Sequence, residues 1–68
     1  MTRTSIRQAL QRSAGGAEFI NRQQIKACMG WGNDRVNETV RGLDFIRLGR
    51  TRQYDVREVA EVIYAQIN

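Results

Sequence analysis

The stretch Asn21-Arg22-Gln23-Gln24-Ile25-Lys26-Ala27-Cys28-Met29-Gly30-Trp31-Gly32-Asn33-Asp34-Arg35-Val36-Asn37-Glu38-Thr39-Val40 decides how this chain is read. Asn21 is a good N-cap, and Gln24 stands three residues on, at capping-box spacing. Ile20 and Ile25 fill the two hydrophobic-staple positions around that cap. The spacing predicts a helix from Arg22 to about Met29, with Ile25, Cys28 and Met29 as its apolar stripe and Gly30 as its stop. Trp31-Gly32-Asn33 reads as a tight turn. A third helix then begins at Asn33 or Asp34, with Val36, Val40 and Leu43 spaced i, i+4, i+7 and Gly42 near its end. Two helices joined by a short, glycine-bearing turn make a helix-turn-helix unit. Ile25, Met29, Trp31 and Val36 supply the apolar contacts that pack the pair.

Working outward, Gly15-Gly16 ends a first helix over about residues 5–13, with Thr4 or Ser5 as its cap and residues 1–4 frayed. Its apolar residues, Ile6, Ala9 and Leu10, are few, so it is either docked or partly disordered; their i, i+3, i+4 spacing favours docking. Downstream, Phe45-Ile46-Arg47-Leu48 reads as a short strand, Gly49-Arg50-Thr51 as a turn and Arg52-Gln53-Tyr54 as a second strand. Asp55-Val56-Arg57-Glu58 is another capping box, opening a last helix that carries Val56, Val59, Ala60, Val62, Ile63 and Ile67. That wide stripe must be buried, against the rest of the chain or against a partner. The expected fold is a single domain over residues 1–68, mainly α with a small β-hairpin, in the order helix, helix, turn, helix, hairpin, helix: a winged helix-turn-helix.

Composition narrows the function classes. The 68 residues carry a net charge of +4, and ten of the eleven basic side chains are Arg. The planar Arg fork donates paired hydrogen bonds to phosphates and base edges. Histidine is absent and cysteine occurs once, which removes the commonest general base and metal ligand and any internal disulfide. No apolar run approaches the roughly 20 residues that span a bilayer. A free thiol without an export signal fits a reducing cytoplasm. The expectation is a non-enzymatic protein with no cofactor, no metal, no small-molecule substrate and no membrane partner.

The second helix of such a unit lies in the major groove of DNA, its N-terminal residues near base edges. Those residues here are Asn33, Asp34, Arg35, Asn37 and Glu38. Arg35 is suited to guanine and Asn37 to adenine, while Thr39 and Arg41 are placed for phosphates. Arg22, Lys26 and the Tyr54 hydroxyl are further candidates for the DNA backbone. The hairpin adds Arg47, Arg50, Thr51 and Arg52, with no acid between Phe45 and Tyr54. A thin Arg-tipped ribbon suits a minor groove or its flanking phosphates. Trp31 is expected to cap the core at the inter-helix turn, and Cys28 to be a small core residue. Asp55 and Glu58 are explained by capping, and Glu58 with Glu61 lacks companion ligands.

From Phe19 to Ile63 the chain resembles the excisionase and MerR-like winged helix-turn-helix group. The resemblance rests on apolar Phe19-Ile20, the capped helix ending at Gly30, Trp31, the cap at Gly32 or Asn33, Val36, Val40 and Leu43. It continues through Leu48-Gly49, the basic Arg50 and Arg52, and Tyr54-Asp55 at the start of the last helix. One departure from the group is a Gly or Asn cap where Ser or Thr is common; Lys26 departs from the best-known helix-turn-helix spacing, which has a small residue at the helix crossing. The resemblance implies sequence-specific binding of double-stranded DNA, as an excisionase-like architectural factor or a small phage or mobile-element regulator of transcription. It would act as a dimer, as a cooperative array or with a recombinase. Two rival readings stay open. One is a protein-protein interaction module using the apolar last helix, to be favoured if Ile63 and Ile67 are exposed. The other is an RNA-binding role, which charge favours but which lacks interleaved surface aromatics.

Overall fold

A computed structural model describes residues 2–67. Four helices and three short strands follow in the order α1 (Arg3–Ser13), β1 (Phe19–Ile20), α2 (Arg22–Met29), α3 (Asn33–Val40), β2 (Ile46–Leu48), β3 (Thr51–Asp55) and α4 (Val56–Ile67). The central pair forms as its caps dictate. The Asn21 side chain accepts from the Gln24 N–H at 2.8 Å, and the Gln24 side chain accepts from the Asn21 N–H at 3.0 Å. At the other end of α2, Gly30 takes φ 68° and its N–H donates to the Lys26 carbonyl at 2.8 Å. That left-handed conformation suits glycine, which has no Cβ to clash. Gly30 to Gly32 then turn the chain into α3, which starts after Gly32 without a side-chain cap. Asp34 in its first turn offers the positive helix end a compensating charge.

The sheet is antiparallel in the order β1-β3-β2. β2 and β3 form the hairpin, with Ile46 opposite Gln53, Arg47 opposite Arg52 and Leu48 opposite Thr51. Gly49 and Arg50 make the two-residue turn between them; Gly49 has φ 64°, the positive value needed when glycine leads such a turn. On its other side β3 pairs with β1, placing Phe19 opposite Asp55 and Ile20 opposite Tyr54. The Val56 N–H donates to the Glu18 carbonyl at 2.9 Å and extends that seam. The lead-in to α2 is thereby tied to the base of the hairpin.

The core lies between α1, α2, α3 and α4, closed at one end by β3. Ile6 and Leu10 of α1, Ile25 of α2, Val36 and Val40 of α3, and Val56, Val59, Ala60 and Ile63 of α4 are all buried, with Ile20 and Tyr54 from the sheet. Each fully buried Val, Leu or Ile side chain among them contributes about 1.5–3 kcal/mol. α1 is docked, resting mainly on α4 and α2, and the Ser13 hydroxyl donates to the Gln24 carbonyl at 2.8 Å. On the surface, Arg3 reaches Glu61 at 3.0 Å and lies over the Tyr64 ring at 4.5 Å.

Several expectations need correcting. α1 begins at Arg3, not near residue 5: Thr2 is its cap, and Ser5 completes the box from the third helical position. α3 ends at Val40, so Leu43 packs partly against the core from the following turn. The hairpin strands cover Ile46–Leu48 and Thr51–Asp55, leaving Phe45 outside and Thr51 within. The strand β1 has no counterpart in the sequence reading.

Candidate functional site

The geometry gathers charge into one place. A cleft of about 730 Å³ opens between α2, the start of α3 and the β2–β3 hairpin. Its basic lining is Arg22 and Lys26 from α2 with Arg47, Arg50 and Arg52 from the hairpin, and no acidic side chain lines it. Asn33, Asn37 and Thr51 complete the expected contact residues found there, beside Val36. Eight residues singled out on separate sequence segments therefore share one concave surface. Asn21 and Gln23 also line it; Asn21 is legible in the sequence only as a cap, and a single uncharged Gln carries no signal.

Each wall has a local cause. In β2 and β3, Arg47 and Arg52 are directly opposed, so their side chains leave the same face of the ribbon. The Arg52 guanidinium rests 4.5 Å over the Phe45 ring, and Phe45 packs against Tyr54 with ring centroids 6.0 Å apart. These contacts anchor the base of the hairpin to the core. On α2, Arg22 and Lys26 are four residues apart and lie on one helix face. Lys26 is half-buried and lines the cleft. Across the cleft the Arg22 Nη1 donates to Asn37 Oδ1 at 3.1 Å.

The remaining expected contact residues lie elsewhere. Arg35 does not line the cleft: its guanidinium sits 4.0 Å over the Trp31 indole. Trp31 itself is half-buried and packs against the core, as its place in the turn predicts. Glu38 and Arg41 are exposed and paired with each other at 2.6 Å. Asp34 is exposed outside the cleft. Outside the cleft, α3 and its C-cap present two acids, Asp34 and Glu38, against two cations, Arg35 and Arg41. Those charges cancel, so the net positive charge beside α3 is the one that lines the cleft.

Thr39 and Tyr54 are corrections. Thr39 is 1% exposed. Its hydroxyl donates to the Arg35 carbonyl at 2.8 Å and accepts from Gln66 Nε2 at 3.0 Å, so it is a joint between α3 and α4 and not a phosphate contact. Tyr54 is 3% exposed and serves as the aromatic floor beneath the hairpin, with too little free surface to hold a phosphate.

Little else offers chemistry. Burial pushes the Cys28 thiol above its usual pKa, with the Arg12 charge partly opposing, so it stays protonated at neutral pH and is a poor nucleophile. Among the described residues no three His, Cys, Asp or Glu side chains group as metal ligands. Among the described residues no helix is long and apolar enough to cross a membrane. Compared with family models, with curated proteins and with solved structures, the chain matches none.

Proposed function

We propose that this chain is a winged helix-turn-helix module that binds double-stranded DNA, with α3 as the recognition helix and the β2–β3 hairpin as the wing. One observation carries the reading: five cations and no acid line the cleft between those two elements. A polyanion is the partner that such a surface suits. Duplex DNA also matches its shape, because a helix fits the major groove while a thin ribbon follows the adjoining backbone. The resemblance of residues 19–63 to excisionase and MerR-like modules points the same way. A single module of this size covers roughly 600–1,000 Å² of DNA-facing surface, so useful affinity calls for several copies or a second DNA-bound protein. We place the chain among excisionase-like architectural factors and small phage or mobile-element regulators. The binding reaction needs no cofactor and no bond is made or broken in it.

The test is a salt titration of duplex affinity. Five phosphate contacts give an expected log–log slope of about −4 to −5. Arg50→Ala should flatten that slope by about one unit and weaken all sequences alike. Absence of duplex binding at about 50 mM salt, where such contacts are strong, would sink the proposal.

The rival reading, a protein-docking module built on the last helix, has less support. Ile63 is fully buried in the core, and Ile67 is 39% exposed. The apolar stripe of α4 is largely used in holding this fold together.

A further inference from the structure

The Arg22–Asn37 hydrogen bond reaches beyond general attraction to a polyanion. Asn33 and Asn37 are the two amide side chains of α3, and both line the cleft. They stand four residues apart, so they lie on nearly the same line of the helix, about 6 Å apart along its axis. Two base-pair steps of B-DNA span roughly 6.8 Å, at 3.4 Å per step. Arg35, the obvious candidate for a base contact, is held over Trp31 outside the cleft. The amides therefore remain as the groups on the cleft edge of α3 that can match base edges in pairs.

The bond from Arg22 fixes which way one amide points. Arg22 Nη1 donates to Asn37 Oδ1, which orients the oxygen towards α2 and leaves it a second lone pair. The Nδ2 group keeps its two donors for whatever enters the cleft. An acceptor beside a donor in one plane matches adenine, whose N6 amino group donates and whose N7 accepts. Guanine offers two acceptors on that edge and would meet the oxygen with a like partner.

We propose that Asn33 and Asn37 read two adenines two base pairs apart in the major groove, and that Arg22 is the positioning residue that presets the Asn37 amide. This rests on the DNA-binding reading above; it keeps the adenine role expected of Asn37, adds Asn33 and Arg22 to it, and takes the base-reading role from Arg35.

Selection from a random duplex pool at fixed salt, followed by sequencing, tests it with this chain and its variants. The wild type should enrich A-N-A. Asn37→Ala should erase one adenine and spare the other, and Asn33→Ala should do the reverse. Each loss should shrink discrimination by about 5- to 150-fold, the range for one bidentate pair. Arg22→Ala should blur only the Asn37 position, and Arg22→Lys, which keeps a donor, should restore part of it. Arg35→Ala should leave the motif intact. All four side chains are on the surface or in the open cleft, and circular dichroism melts of each variant verify folding. A motif without spaced adenines, or one that Asn37→Ala leaves unchanged, overturns the inference while DNA binding stands. A motif that Arg22→Ala leaves sharp overturns the positioning role. If the wild type retains no duplex at low salt, the functional reading itself fails.

Discussion

At Asp55 the ladder between β1 and β3 meets the first turn of α4. Burial alone would raise its pKa. Hydrogen bonds from the Arg57 guanidinium and backbone N–H, the Arg57 charge and a bond from the Glu58 backbone more than offset this and hold the carboxyl below its usual value. The Arg57 N–H reaches Oδ1 at 2.7 Å, as an N-cap requires. A carboxylate with a lowered folded pKa stabilises the native state above its unfolded pKa, and that contribution is lost as pH falls through the folded value. Thermal stability should therefore decline below about pH 4, the ordinary Asp range. Asp55→Asn, which keeps the cap but removes the charge, should flatten that acid limb in melts taken from pH 2 to 7. Asp55→Ala should also cost about 0.5–2 kcal/mol at neutral pH through the lost cap. Thr39 shows at the same scale why a residue's role can escape a sequence. Its hydroxyl returns to a carbonyl four residues back, so a polar side chain is satisfied within its own helix and can be buried. Periodicity weights Val36 and Val40 and passes over the threonine between them.

Among the elements, α2 was the most legible and β1 the least, for physical reasons. Both ends of α2 are fixed by local chemistry, the Asn21–Gln24 box and the left-handed Gly30, and local chemistry is written in adjacent residues. Asn21→Ala should cost about 0.5–2 kcal/mol. Gly30→Ala should cost about 1–2 kcal/mol. The Gly30 penalty is one of backbone strain, because a Cβ built there meets nothing within 4 Å. Urea titrations should therefore rank Gly30→Asn between wild type and Gly30→Ala, since Asn tolerates the left-handed region better than Ala. An equal loss for Asn and Ala would mean that something other than φ is at stake. By contrast β1 has two residues, too few to display alternation, and it exists because β3 lies beside it. The paired exit of Arg47 and Arg52 was half legible: the hairpin could be foreseen, its register could not, and register decides which side chains face the cleft.

Over the whole molecule, the arrangement of charge matters more than its total. The net +4 conceals a cleft with five cations and no acid, set beside an α3 surface whose charges cancel. The sequence announced an Arg-rich chain and placed eight of the residues that meet in the cleft; it misplaced Arg35, because stacking on Trp31 is settled only when the turn and α3 fold together. A radius of gyration of 10.8 Å agrees with the roughly 11 Å expected for a packed chain of this length, so the cleft is a surface feature of a filled molecule. The strand order leaves β2 at the margin of the sheet, with Ile46 44% and Leu48 61% exposed. Neighbouring side chains on a strand leave opposite faces, so these two share the face that Arg47 does not. A bare, apolar strand margin invites other chains to add to it, and a charge in its middle is a common defence. Arg47 is therefore expected to oppose self-association as well as to supply charge to the cleft. Arg47→Ala should lower the concentration at which light scattering reports self-association, whereas Arg47→Lys should not, and Leu48→Ser in the Ala background should restore a monodisperse solution. A protein of this design should become harder to concentrate as salt rises, because screening weakens the repulsion that keeps one β2 margin from the next.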